Sequence, residues 1–269
     1  MNLKKFTQGY NRDGIVGFIN VLLGKLGFKF RFKTLFEKRI KALQQNLKRI
    51  SKNIVQSGPY SSLKISNNMK WSEMDYSPKI LGIYEKEVQE ELIKWNCKNF
   101  VNLGAAEGYH ALGQLISGTK QKSYVFEQNQ DSKMILEENV KLNNLEKKIM
   151  IFGKAEEDFI EILKKEKINL LETCFLFDIE GAEYKLLNNK NLEELRYSKI
   201  IIELHEDKKK QDEFINILKK NFNISLFKTK DRDLSNFIFL EGYSDIDRWL
   251  LASENRPNLM NWVKLTPKK

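Results

Sequence analysis

The chain has 269 residues, 41% of them hydrophobic and 30% charged, which is enough apolar material for a full core in one large domain with extensions. Its two cysteines, Cys97 and Cys174, lie in apolar surroundings and it has only two histidines; this argues against a disulfide or a Cys/His structural zinc site and for a reducing, cytoplasmic setting. The net charge of +10 is concentrated at one end, because residues 1–70 hold 15 Lys+Arg against 2 Asp+Glu, leaving 31 against 34 in residues 71–269.

Residues 14–36 are apolar and then basic-aromatic. The apolar part is shorter than the roughly twenty residues that span a bilayer, and no small-x-small cleavage pattern follows it, so neither a membrane span nor a signal peptide is expected. Two roles stay open for residues 14–52: an amphipathic face lying at a membrane surface, or a stripe packing on the domain or on a second subunit, which would make a homo-oligomer. The cationic balance favours anionic partners, whether headgroups, acidic glycans or nucleic acid. A helix through residues 33–53 is followed by the turn Gln56-Ser57-Gly58-Pro59-Tyr60 and a polar stretch, so residues 1–76 read as a basic helical N-terminal extension.

Residues 77–242 read as an α/β domain. Strands are predicted at 99–103, 122–126, 148–152, 174–178, 199–204, 223–228 and 235–241, with helices at 107–117, 131–142, 156–166, 184–195 and 208–221. The first five strands are continuous apolar runs, as in a mainly parallel sheet buried on both faces. The last two are separated by the turn Asp231-Arg232-Asp233-Leu234 and are expected to pair as an antiparallel hairpin. Residues 243–269, with their Trp and Arg, are expected to pack on the domain as a C-terminal helix and tail.

Three segments carry chemistry. The strand Phe100-Val101-Asn102-Leu103 runs into Gly104-Ala105-Ala106-Glu107-Gly108-Tyr109-His110, a glycine turn opening a helix, where backbone can approach a ligand closely. About twenty residues later Phe126-Glu127 ends a strand, the position where open α/β folds hold ribose hydroxyls. Phe177-Asp178-Ile179-Glu180-Gly181-Ala182-Glu183 ends another strand in carboxylates, and Glu203-Leu204-His205 ends a fourth. Ala106 stands where a dinucleotide fingerprint often has its middle glycine, which tells against a pyrophosphate site.

Together these segments resemble class I S-adenosylmethionine-dependent methyltransferases, and more narrowly the FkbM type, with its Gly-x-x-x-Gly-Tyr turn, Phe-Glu strand end, Asp-x-Glu-Gly-x-Glu motif and Glu-x-His strand end. The resemblance covers roughly residues 79–242. It implies a Rossmann-like sheet with an antiparallel ending, S-adenosylmethionine as cofactor, and a cofactor site drawn from Asn102, Gly104, Glu107, Gly108, Tyr109, Glu127, Ala155, Glu156 and Asp178. Asn102 departs from the acidic residue many class I enzymes carry there. His110 is expected to pack beside the cofactor, and Tyr84 and Glu85 either reach the site or cap and pack.

In-line methyl transfer to a hydroxyl needs alignment and a base. His205, whose unperturbed pKa lies near 6.5, and Asp178 are the catalytic candidates. A divalent cation among Asp178, Glu180, Glu183, Glu203 and His205 is the second reading of that cluster. No Asn/Asp-Pro-Pro-Tyr/Phe tetrapeptide follows the fourth strand, so oxygen rather than nitrogen methylation is expected, on a sugar, glycolipid or related hydroxyl by family resemblance. Alternatives are an RNA methyltransferase using the basic arm, and a non-catalytic membrane-surface or assembly module.

Overall fold

The computed structural model describes residues 3–30, 32–68, 75–235, 237–254, 256 and 259–268, with side chains from residue 14 onward. Two compact units emerge, Met1–Ile50 with Phe237–Leu251, and Ser51–Asn236 with Ala252–Lys269.

The first unit begins with α1 (Leu3–Lys25), broken at Gly14, whose φ of 60° and ψ of −145° leave the helical region. Helix α2 (Leu35–Ser51) starts in a reciprocal cap: Glu37 N–H donates to Thr34 Oγ1 (3.1 Å) and Thr34 N–H to Glu37 Oε2 (2.9 Å). Its buried residues Ile40, Leu43 and Leu47 recur at helical spacing.

In the second unit, which starts at Ser51, the helices α3 (Tyr76–Leu81) and α4 (Lys86–Ile93) lead into β1 (Asn99–Leu103). Strand and helix then alternate through α5 (Tyr109–Ile116), β2 (Lys122–Phe126), α6 (Gln130–Leu142), β3 (Ile149–Phe152), α7 (Phe159–Lys165) and β4 (Thr173–Phe177). After α8 (Glu183–Leu186), α9 (Asn189–Glu194), β5 (Lys199–Glu203), α10 (Lys208–Leu218) and β6 (Phe222–Lys228), the chain forms α11 (Asp245–Ala252) and ends in β7 (Asn261–Pro267). The strand order is β3-β2-β1-β4-β5-β7-β6; β1 to β5 are parallel, and β7 runs antiparallel between β5 and β6.

The seventh strand is not the segment 235–241 expected from sequence. There, Phe237 and Leu240 are buried while Ile238 is exposed, the spacing of a helical turn, and Ile238–Leu240 is a short 3-10 helix. The C-terminal segment supplies the strand instead, burying Trp262, Val263 and Leu265 between its two neighbours, so the tail builds the sheet rather than only packing on it.

Strand parity sorts the core into two layers. Val101 and Leu103 share one face with Phe126, Phe175, Phe177, Ile200 and Ile202, packed against Phe159 and Leu163 of α7 and Phe214 and Leu218 of α10. The opposite parity carries Phe100, Asn102, Val125, Leu176 and Ile201, all buried, on the side served by α5. Tyr60, wholly buried, presses on α5: a Cβ at Gly113 would lie 2.3 Å from its ring, and Gln114 Nε2 donates to its hydroxyl at 2.8 Å. Both cysteines are buried and unbridged.

Candidate active site

A cleft opens at the carboxyl ends of β1, β2 and β4, where ligands sit in open α/β sheets. Of the residues expected from sequence, Gly104, Glu127, Ala155 and Asp178 line it together. Gln128, Lys154, Ile179 and Ala182 complete much of the wall. Gln128 and Ile179 directly follow predicted strand tips, and that adjacency was the available signal for them.

The turn after β1 is held rather than loose. Gly104 has φ 81°, its N–H donates to the Phe126 carbonyl (2.9 Å), and Asp178 N–H donates to the Leu103 carbonyl (3.0 Å), tying the three strand tips together. Ala106 at φ 45° and Glu180 at φ 55° are non-glycine residues in the left-handed region, both on the cleft wall. Glu127 braces this backbone: Oε2 accepts the Ala106 N–H and Oε1 the Asn129 N–H, each at 2.7 Å. Each carboxylate oxygen keeps a second acceptor direction, so ribose hydroxyls can still be received.

Other expected cofactor residues lie elsewhere. Asn102 is buried on the sheet face opposite Val101 and Leu103, with a 3.5 Å bond from Nδ2 to the Leu103 carbonyl. Glu107 is buried against Lys79, whose ammonium also sits 4.6 Å from the Tyr84 ring centre. Gly108 caps α5 in the left-handed conformation. Tyr109 packs edge-on against Tyr60 and Tyr84, its hydroxyl donating to the Lys79 carbonyl at 3.2 Å. Glu156 is exposed and paired with Lys154 at 2.7 Å. None of these five lines the cleft; the first turn of α5 meets Tyr60 and the Lys79 carbonyl of α3 instead.

Behind Asp178 lies a network of charged groups. His205 Nδ1 is 3.0 Å from Glu183 Oε1, while Nε2 is 3.4 Å from Asp178 Oδ1, 3.7 Å from Glu180 Oε2 and 3.9 Å from Glu203 Oε2. Burial alone would lower the His205 pKa, but bonds to Asp178 and Glu183 override it and push it up to about 11. The surrounding carboxylates thus favour the protonated imidazole over the free base. His205 does not cap α10, since Asp207 fills that place.

Glu203 is pushed up by burial and by the neighbouring Asp178 carboxylate, with Arg256 opposing. Arg256 Nη1 bonds Glu203 Oε1 at 2.9 Å, Nε bonds Glu254 Oε2 at 3.1 Å, and Nη2 reaches both Glu85 and the Tyr84 hydroxyl. Glu85 also accepts from or pairs with His110 Nε2 at 2.7 Å, and His110 Nδ1 lies 3.2 Å from the Tyr60 hydroxyl. His110 is thus structural. Arg256 was missed because it lies 53 positions from its Glu203 partner in the chain, with no local signal.

Asp178, Glu203 and His205 each offer a ligand atom, all within 4.8 Å of one another, a donor set compatible with a hard divalent cation. In this arrangement the chain's own His205 and Arg256 supply the positive charge.

Burial alone would raise Glu85, but the bond to His110 and the Arg256 charge hold it down at about 2, against an ordinary 4.5. A depressed carboxylate stabilises the fold above its unfolded pKa, and that contribution disappears as pH falls through the folded value. Glu85→Gln is expected to cost about 3 kcal/mol at neutral pH. The gap from the parent should close as pH drops from about 4.5 toward 2, as read by urea unfolding across that range.

The chain matches no family model and no curated protein sequence. Its fold is similar to solved structures. An O-methyltransferase from Bacillus cereus in complex with SAH aligns with a TM-score of 0.50 at 10% identity, over 93% of this chain and 97% of that one. Precorrin-6y C5,15-methyltransferase from Geobacter metallireducens gives 0.48 at 7% identity, over 68% and 89%. TrmK of M. capricolum in complex with SAH gives 0.45 at 13%, over 67% of each chain. The seven-stranded order with its antiparallel β5-β7-β6 ending is a Rossmann-like sheet, the fold of that O-methyltransferase.

Proposed function

We propose that this chain is an S-adenosylmethionine-dependent methyltransferase acting on a hydroxyl oxygen of a sugar, glycolipid or related metabolite, in the manner of the FkbM type whose motifs it resembles. The observation that carries this reading is the cleft in which Gly104, Glu127, Ala155 and Asp178, four residues named from motif alone, meet at the strand tips. The cofactor fits the donor set: Glu127 receives the ribose hydroxyls, Phe126 and Ile179 give apolar walls, and no phosphate cradle is required. Bound there, S-adenosylmethionine supplies an electrophilic methyl group on a sulfonium.

The chain's own residues orient the acceptor and take its proton. Asp178 and Glu180 both line the cleft near His205 Nε2, and Asp178, the closer at 3.4 Å and the less exposed, is assigned as the proton acceptor, with His205 Nε2 opposite Oδ1 holding the carboxylate in place. Glu183 on Nδ1 orients that imidazolium.

Transfer of radiolabelled methyl from S-adenosylmethionine to a panel of glycans, glycolipids and RNA tests the reading. Label is expected in a hydroxyl-bearing carbohydrate fraction, and Asp178→Asn should lower kcat about a hundredfold or more. Label entering RNA alone would overturn the acceptor class, and an Asp178→Asn enzyme of parental rate would overturn the base.

A further inference from the structure

The first unit exposes two runs of apolar side chains. Ile15, Phe18 and Leu22 of α1, and Leu26 just beyond it, recur at spacings of three and four and so share one helical face. All four are exposed, Ile15 at 69% and Leu26 at 64%. Gly27, at φ 82°, ends the helix, and Phe28 N–H donates to the Leu23 carbonyl at 3.0 Å. The sequence then alternates as Phe28-Lys29-Phe30-Arg31-Phe32-Lys33, and Phe28, Phe30 and Phe32 are all exposed.

This segment is held in place. Asn20 Nδ2 donates to the Phe32 carbonyl at 2.8 Å and Asn20 Oδ1 accepts the Phe32 N–H at 2.7 Å, while the Phe30 and Phe32 rings meet edge to face at 5.1 Å. Leu35, 83% exposed, and Phe36 extend the apolar set to the start of α2. Scattered exposed apolar residues are ordinary, but a concentrated set with charge around it marks an interaction surface. The charge here has one sign: residues 14–41 contain seven Lys or Arg and a single acidic residue, Glu37.

That combination selects the occupant. A second copy docking through the same face would set Lys25, Lys29, Lys33 and Lys38 against themselves. A nucleic acid would use the cations and aromatic faces but would leave Ile15, Leu22, Leu26 and Leu35 against water. An anionic bilayer takes both at once, with aliphatic and aromatic side chains entering the acyl boundary and ammonium groups reaching up to phosphates. Among the described residues no helix is long and apolar enough to cross a membrane.

We propose that the exposed apolar runs of residues 15–36, with the cations among them, dock this protein on the surface of an anionic lipid membrane. Flotation of the full chain with phosphatidylcholine vesicles, with and without added phosphatidylglycerol, tests it, alongside poly(U) binding and sedimentation equilibrium. Binding is expected to the anionic vesicles and to be about tenfold or more weaker on phosphatidylcholine alone. The triple variant Phe28→Ser, Phe30→Ser, Phe32→Ser should lose about tenfold or more in vesicle affinity with its unfolding midpoint unchanged, because those rings are exposed. The double variant Lys29→Gln, Lys33→Gln, which leaves the apolar set intact, should weaken binding and flatten its salt dependence. No flotation with anionic vesicles overturns the proposal. So does flotation unaffected by both variants, or loss of RNA binding or of self-association in the triple variant where vesicles never bound.

Discussion

Replacing Gly104 by alanine is expected to unfold the tip of the sheet and abolish ligand binding together. A Cβ there would lie 1.7 Å from the Asp178 carbonyl oxygen and 2.8 Å from its carbon, both backbone atoms that cannot swing aside. The residue also sits at φ 81°, which costs an L side chain about 1 kcal/mol before any clash. Because β4 is tied to β1 through Asp178 N–H at the same point, relief must come from parting the strands that carry Asp178 and Glu127. The combined loss is expected to be about 3 kcal/mol or more. Gly118 supplies the control: its φ is 72° but an added Cβ meets nothing within 4 Å, so Gly118→Ala should cost only about 1 kcal/mol. Denaturant unfolding of the two variants checks the difference, and equal losses would show that the close approach of β1 and β4 is unimportant.

Arg256→Met is expected to be the most destabilising change away from the cleft. Its guanidinium is the shared partner of Glu85, Glu203 and Glu254, which are 2%, 1% and 9% exposed, and its own pKa is held far above the ordinary value: burial opposes this, and those carboxylates outweigh it. Removing one member of a buried ion pair typically costs about 3–5 kcal/mol, because the remaining charge has neither water nor counterion. Arg232 is already engaged by Glu87 and Glu254. Arg256→Lys keeps the charge but loses the planar fork, so an intermediate loss is expected. Thermal unfolding of both variants provides the measurement, and part of the Arg256→Met loss should be recovered in acid, where the stranded carboxylates protonate.

The parallel half of the sheet was legible because strands buried on both faces leave continuous apolar runs, and β1, β2 and β4 fall within a residue of their expected bounds. The last strand was not. Trp262-Val263-Lys264-Leu265 buries most of its length only because β5 and β6 flank it, and its membership in the sheet depends on a long return of the chain. The nearer apolar run at 237–240 looked like the better strand but repeats every three residues.

The site divides the same way. Gly104, Glu127 and Asp178 occupy strand tips, where topology alone dictates what a side chain faces. Asn102 was readable in retrospect, since a residue flanked by the inward Val101 and Leu103 must point to the other layer. Glu107, Tyr109 and His110 follow the turn, and what they meet is decided by Lys79, Tyr60 and Glu85, partners brought in by long-range folding. The charge state of His205 was likewise invisible, because it follows from Asp178 and Glu183 converging on one imidazole.

The central claim is that the strand tips bearing Gly104, Glu127 and Asp178 form a site for S-adenosylmethionine. Titration calorimetry of the full chain with S-adenosylhomocysteine measures this directly, with Glu127→Gln as the comparison, because that change keeps the side-chain oxygen bracing Ala106 or Asn129 while removing the charge. Saturable one-to-one binding of the parent is expected, with an affinity loss of about tenfold or more in the variant, the scale of one charged hydrogen bond. A folded parent that takes up no S-adenosylhomocysteine, or a variant that binds it as tightly as the parent, would contradict it.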